Sequence, residues 1–121
     1  MKAGWWLVLV FVATAGAENT DERMRRLTLP DRAFRDAPAL EILRYIEEES
    51  RRADPAGVGV NLVVMDDADR RLERTRLTLA LRSATVERAL RLVASAAALT
   101  LRVEENAVVL TPSKTAVHSS R

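Results

Sequence analysis

"TVERALRLVASAAALTLRVEENAVVL", Thr85 to Leu110, changes its apolar period halfway along. In the first half Val86, Ala89, Leu90, Val93 and Ala97 recur at helical spacing, one face of an amphipathic helix. Thr85 stands where a side-chain oxygen caps such a helix. The run Ala94 to Ala98 is small, so another element can pack close. In the second half Leu99, Leu101 and Val103 alternate with polar residues. The polar turn Glu104-Glu105-Asn106 then leads to the apolar run Ala107 to Leu110. Period two before a short polar turn and an apolar run after it predict a hairpin, and Pro112 ends it.

Reading backwards, Leu77, Leu79 and Leu81 alternate with Thr78, Ala80 and Arg82, another strand. Val58 to Met65 is β-branched and apolar, with Val60, Leu62 and Val64 on one face, and reads as a buried strand. Between them Asp66 to Arg74 is a polar connection, expected to be exposed and mobile. Ahead of the turn Asp54-Pro55-Ala56-Gly57, the residues Ala39, Ile42, Leu43 and Ile46 form a second helical stripe. Asp36 is expected near the cap of this helix and Pro38 in its first turn. Glu41, Arg44, Glu47, Glu48 and Arg51 take the wet side. Earlier still, Arg26 to Leu29 reads as a strand bent at Pro30, followed by an extended Arg32 to Phe34. Arg26-Leu27-Thr28-Leu29 is echoed by Arg76-Leu77-Thr78-Leu79, so strand-then-helix chemistry is used twice. The order strand, helix, strand, strand, helix, strand, strand defines a small α+β domain of βαββαββ type.

The beginning of the chain has another character. Lys2 is a positive n-region, Trp5 to Val12 an unbroken apolar run, and Ala15-Gly16-Ala17 a small-x-small site before Glu18. This is the pattern of a cleaved secretory signal peptide, with cleavage between Ala17 and Glu18. The apolar run has only about half of the ~20 residues that span a bilayer, so no membrane span is expected after cleavage. Removing residues 1–17 leaves 104 of the 121 residues. The expected plan is a flexible stretch 18–25, a domain over 26–112 and a disordered tail over 113–121. Such a length buries roughly two-thirds of its unfolded surface. With no cysteine, burial alone must hold the domain together.

The formal net charge is +2, and acidic and basic residues are interspersed rather than gathered into one basic stripe. The pI of 9.7 reflects a small excess of arginine that survives to high pH. No nucleic-acid partner is expected. His118, the single histidine, lies in the tail, far from the geometry a general base needs. Asp66-Asp67-Ala68-Asp69 lacks the glycine of a calcium loop and has Arg70 and Arg71 nearby. The glycines form no phosphate loop, and Glu47-Glu48-Glu49 are adjacent on a helix, where side chains point apart. The expectation is a protein with no catalytic residues, no metal ligands and no cofactor.

The stretch from Leu27 to Thr111 resembles the STN domain, the short N-terminal domain of secretins and TonB-dependent signal transducers. Phe34-Arg35-Asp36-Ala37-Pro38-Ala39-Leu40, running into the first helix, carries the first part of the resemblance. Gly59-Val60-Asn61-Leu62-Val63-Val64, Leu77-Thr78-Leu79-Ala80-Leu81 leading to Ala89-Leu90, and Leu101-Arg102-Val103 with Asn106 to Leu110 carry the rest. Pro38 stands where a threonine-like cap is usual, a change compatible with a helix start. The resemblance implies two helices held between a three-stranded and a two-stranded sheet. It also implies a non-enzymatic periplasmic module that docks inner-membrane or regulatory proteins. The sequence contains no barrel region, so channel, transporter and receptor activities are not carried over.

The expected function is therefore an exported interaction module, periplasmic or alternatively secreted, with an unidentified envelope protein as partner. The alternative is a structural domain that assembles into a homo-oligomer through its sheet edge. Ala107, Val108, Val109 and Leu110 form the last strand, with no charge or proline between Asn106 and Thr111. If its outer edge is open, it is the expected docking site for a partner strand. The competing reading is a strand buried on both faces, or covered by an earlier strand.

Overall fold

The computed structural model describes residues 19–65 and 68–113. The expected signal sequence with Ala15, Ala17 and Glu18, the pair Asp66 and Asp67, and residues 114–121 with His118 lie outside the described residues. Among the described residues nine elements follow one another: α1 (Thr20–Arg26), β1 (Arg32–Pro38), α2 (Ala39–Ala53), β2 (Leu62–Val64), α3 (Ala68–Arg74), β3 (Arg76–Leu81), α4 (Val86–Ala96), β4 (Leu99–Val103) and β5 (Val108–Pro112). The class is α+β, with the expected division into a two-stranded and a three-stranded sheet.

The two long helices are the ones whose stripes are legible in the sequence. Ala39, Ile42, Leu43 and Ile46 of α2 and Val86, Ala89, Leu90 and Val93 of α4 are all buried, and the two helices pack on each other. Thr85 caps α4, its side chain accepting from the Arg88 N–H at 3.2 Å. One continuous core joins these stripes to Phe34, Ala37, Leu77 and Leu81 of one sheet and Leu99, Val108 and Leu110 of the other. Each fully buried aliphatic side chain contributes about 1.5–3 kcal/mol relative to exposure.

β1 pairs antiparallel with β3, and its register shifts between Phe34 and Ala37. Two residues there, Arg35 and Asp36, face one on β3, a β-bulge. The extra residue lets Phe34 and Ala37, three apart, both face the core. Asp36 adopts a left-handed conformation (φ 49°), its N–H donating to Thr78 Oγ1 at 3.0 Å. Asp36 is thus a bulge residue rather than a helix cap. Pro38 closes β1 and is the N-cap of α2, not a residue of its first turn.

Four expectations are corrected. The stretch expected to be a flexible lead is ordered from Asn19 on: Thr20–Arg26 is a helix opened by a capping box between Asn19 and Glu22, with Met24 in the core. Arg26 to Leu29 is not a strand. Only Thr28 forms an isolated bridge, to Thr85, while Val86 N–H donates to Leu27 O and Leu29 N–H to Ala84 O. The polar connection contains α3, whose Ala68 and Leu72 are buried. Arg71 of α3 donates to Ala97 O and Ala98 O at 2.6 and 3.0 Å, satisfying carbonyls left open at the C-terminus of α4. Finally, the strand within Val58 to Met65 is only Leu62–Val64, because the residues before it bond to α2 side chains.

Candidate functional site

The predicted docking strand is the middle strand of its sheet. β5 pairs antiparallel with β4 and parallel with β2, so Val108, Val109 and Leu110 have neighbours on both sides. Ala107 lies in the turn, where its carbonyl accepts from Glu104 N–H. The docking edge expected at Ala107, Val108, Val109 and Leu110 is therefore closed. The covering strand is β2, which precedes it by more than forty residues.

The edges of the sheets lie instead on β1, β2, β3 and β4, each of which has a strand on one side only. Sheet edges invite pairing unless blunted by charge, proline or a bulge. β1 has Arg32, Arg35, a bulge and Pro38; β3 has Arg76; β4 has Arg102, which pairs with Glu104 at 2.7 Å. β2, with the sequence Leu62-Val63-Val64, has none of these. Around it lie Val58, Val63 and Met65, exposed by 48, 40 and 43 %, three of the four large apolar side chains exposed among the described residues.

α2 and its C-cap Asp54 build this edge. Glu47, Ser50 and Asp54 lie at i, i+3 and i+7, and each accepts hydrogen bonds from the chain that returns toward β2. Asp54, its side chain only 2 % exposed, accepts from the N–H groups of Ala56 (3.0 Å), Val58 (3.2 Å) and Gly59 (3.0 Å). Arg26 approaches the same carboxylate at 3.5 Å. Burial alone would raise the Asp54 pKa. The hydrogen bonds from Gly59 and Ala56 and the charge of Arg26 outweigh it and hold the group below its ordinary 3.8. Ser50 Oγ accepts from Val60 N–H at 2.9 Å and donates to Glu47 O. Glu47 Oε2 accepts from Leu62 N–H at 2.9 Å. Gly59 is required here: it has φ 65°, and a Cβ on it would lie 2.7 Å from both Arg51 N and Ser50 Oγ.

The helix therefore replaces a neighbouring strand as far as Leu62 and no further. Past that point the edge opens into a groove of about 270 Å³ lined by Leu40, Leu43, Arg44, Glu47, Leu62 and Val64. The parallel register directs the N–H of Val63 and Met65 toward β5, and Met65 N–H donates to Leu110 O. Val64 N–H points the other way, into the groove. Such a place suits main-chain hydrogen bonding with an apolar side chain of the visitor set against Leu40 and Leu43.

Glu47 belongs by sequence to an acidic run on the wet side of its helix, yet it accepts from Leu62 N–H. The signal was the spacing of three short acceptors, Glu47, Ser50 and Asp54, on one helix face ahead of a glycine-containing turn. Among the described residues no group of three or more His, Cys, Asp or Glu side chains is placed to hold a metal ion, and no helix is long and apolar enough to cross a membrane. No family model matches the chain, and no curated protein matches it.

Proposed function

We propose that this protein is an exported, non-enzymatic protein-binding module of the cell envelope, STN-like in its architecture, that receives an extended segment of a partner along the outer edge of β2. The unblunted β2 edge, opening into an apolar groove beside α2, carries this reading. The segment adds a strand next to Val64, bonds through its main chain, and sets an apolar residue against Leu40 and Leu43. β2 is short, so few backbone bonds form, and the groove with Val63 and Met65 supplies the remaining contact. The export signal and the STN resemblance support a periplasmic setting, with secretion as the alternative, and an envelope protein as partner.

The same edge also suits self-assembly, because identical edges in two copies can pair across a two-fold axis. Photo-crosslinking from position 63 in the envelope fraction, with position 35 on the blunted β1 edge as control, separates these readings. A heterologous adduct specific to position 63, lost with Val64→Pro, is the expected result. Adducts only between copies, with a doubled native mass at micromolar concentration, would establish the self-assembling alternative. Equal adducts from both positions would overturn β2 as the site. The export reading has its own check: the intact mass of the exported chain should begin at Glu18.

A further inference from the structure

The fourth exposed large apolar side chain, Leu92, lies away from β2, on the outer face of α4, with 42 % of its surface exposed. It borders a groove of about 670 Å³ between the end of β3 and the first turns of α4. Ala80 and Ala84 contribute to an apolar floor, and Arg82, Arg88 and Arg91 stand with Leu92 around it. The connection beneath is firmly held. Ser83 has a left-handed backbone (φ 48°) with its N–H donated to Asp31 Oδ1 at 2.8 Å, and Ala84 O accepts from Leu29 N–H.

Charge is unbalanced in this groove. On α2 the arginines Arg51 and Arg52 pair with Glu47, Glu48 and Glu49. In the groove Arg91 has Glu87 at 3.3 Å, whereas Arg82 and Arg88 meet no carboxylate among the described residues. Asp31 does not line this groove; it accepts from Ser83 N–H and lies in a neighbouring hollow. Two guanidinium groups, each a planar fork of donors suited to a carboxylate, are thus set beside an apolar floor and an exposed leucine.

We propose that this groove is a second docking surface, which binds an acidic segment of another protein: carboxylates on Arg82 and Arg88, and an apolar side chain between Leu92 and the Ala80–Ala84 floor. Simple inorganic anions would leave the apolar floor and Leu92 wet. A bilayer is flat, and this surface is recessed. Single-stranded nucleic acid binds through aromatic stacking, and no aromatic residue lines the groove. An acidic segment with an apolar anchor uses both halves of the site. The surface is separate from the β2 edge, so either proposal can fail without the other.

The probe is a short fluorescein-labelled peptide with glutamates flanking one leucine, followed by fluorescence anisotropy on the full chain. Controls replace its glutamates by glutamine or its leucine by alanine. Binding should weaken about tenfold with the glutamine peptide, and about tenfold with the paired changes Arg82→Glu and Arg88→Glu. It should fall with added salt, since the pairs are exposed. Arg70→Glu, outside the groove, should leave it unchanged. Leu92→Ser, at an exposed position outside the buried core, should also weaken binding and keeps the test valid should the double reversal lower the melting temperature. Equal affinity for the glutamine peptide, or unchanged binding in both groove variants, would overturn the proposal. Displacement of the peptide by inorganic phosphate alone would reduce the site to a simple anion site. Stronger binding to phosphatidylglycerol vesicles than to the peptide would assign it to a membrane surface. Either result overturns the acidic-segment reading.

Discussion

Asp54 shows how a single carboxylate organises a turn. It sits at the end of α2 and gathers the N–H groups of Ala56, Val58 and Gly59, with Arg26 beside it. Because its folded pKa lies below its ordinary 3.8, the unfolded chain takes up the proton first as pH falls. The stabilisation from Asp54 is thus complete at neutral pH, begins to fade as pH drops through 3.8, and is gone below the folded value. Asp54→Asn should cost about 1–3 kcal/mol at neutral pH, since hydrogen bonds to a charged acceptor are lost and an amide donor faces N–H groups. Urea melts at descending pH should show the wild type losing this difference in acid while the variant does not. A constant gap would show that Asp54 acts by shape alone. The glycines of the same turn give a second comparison. Both have positive φ, but a Cβ on Gly57 meets nothing within 4 Å, whereas on Gly59 it runs into the backbone of Arg51. Gly57→Ala should cost about 1 kcal/mol, the left-handed penalty alone, and Gly59→Ala clearly more. Thermal melts that rank them equally would contradict the packing of this turn against α2.

At the scale of elements, the helices with four or more stripe positions were legible, and the two short ones were not. α3 is Ala-Asp-Arg-Arg-Leu-Glu-Arg, in which only Ala68 and Leu72 are apolar. One i, i+4 pair cannot establish a period, and its charge density resembles a solvated loop. Tertiary packing decides the matter: Leu72 is fully buried and Arg71 reaches the end of α4. α1 had a readable signal in Asn19-Thr20-Asp21-Glu22, a cap residue with glutamate three positions on, but its buried face is Thr20 and Met24, of which only Met24 is apolar. If α3 is part of the core, Leu72→Ala should cost about 2–5 kcal/mol, as large-to-small core changes do. Glu73→Ala, on the exposed side of the same helix, should stay within about 0.5 kcal/mol. Equal urea midpoints for the two variants would return this segment to the status of a loop.

For the whole molecule, the α+β class was legible in the residue pattern and the two-plus-three division of the strands was implied by the STN resemblance, while the order of strands within the larger sheet was in neither. Local pattern cannot tell a central strand from an edge when the covering strand comes from the other half of the chain. The run Val108-Val109-Leu110 did contain a hint. It is apolar on both faces, as strands with neighbours on both sides often are, whereas β2 carries the exposed Val63. Correcting the order moves the docking hypothesis from one side of a ladder to the other, and hydrogen exchange on the isolated monomer tests this. In β5 the amides of Val108 and Leu110 point to β2 and that of Val109 to β4, as the two registers require, so all three should exchange slowly. In β2 the amides of Val63 and Met65 should be slow, Leu62 slow only while Glu47 holds it, and Val64 fast. Glu47→Ala should speed exchange at Leu62 and leave Val63 as it was. Slow exchange at Val64 in the monomer would mean that the edge is already occupied, and β2 would lose its claim as the docking strand. Fast exchange there, suppressed when a bound partner segment supplies the missing acceptor, is the behaviour an open edge requires.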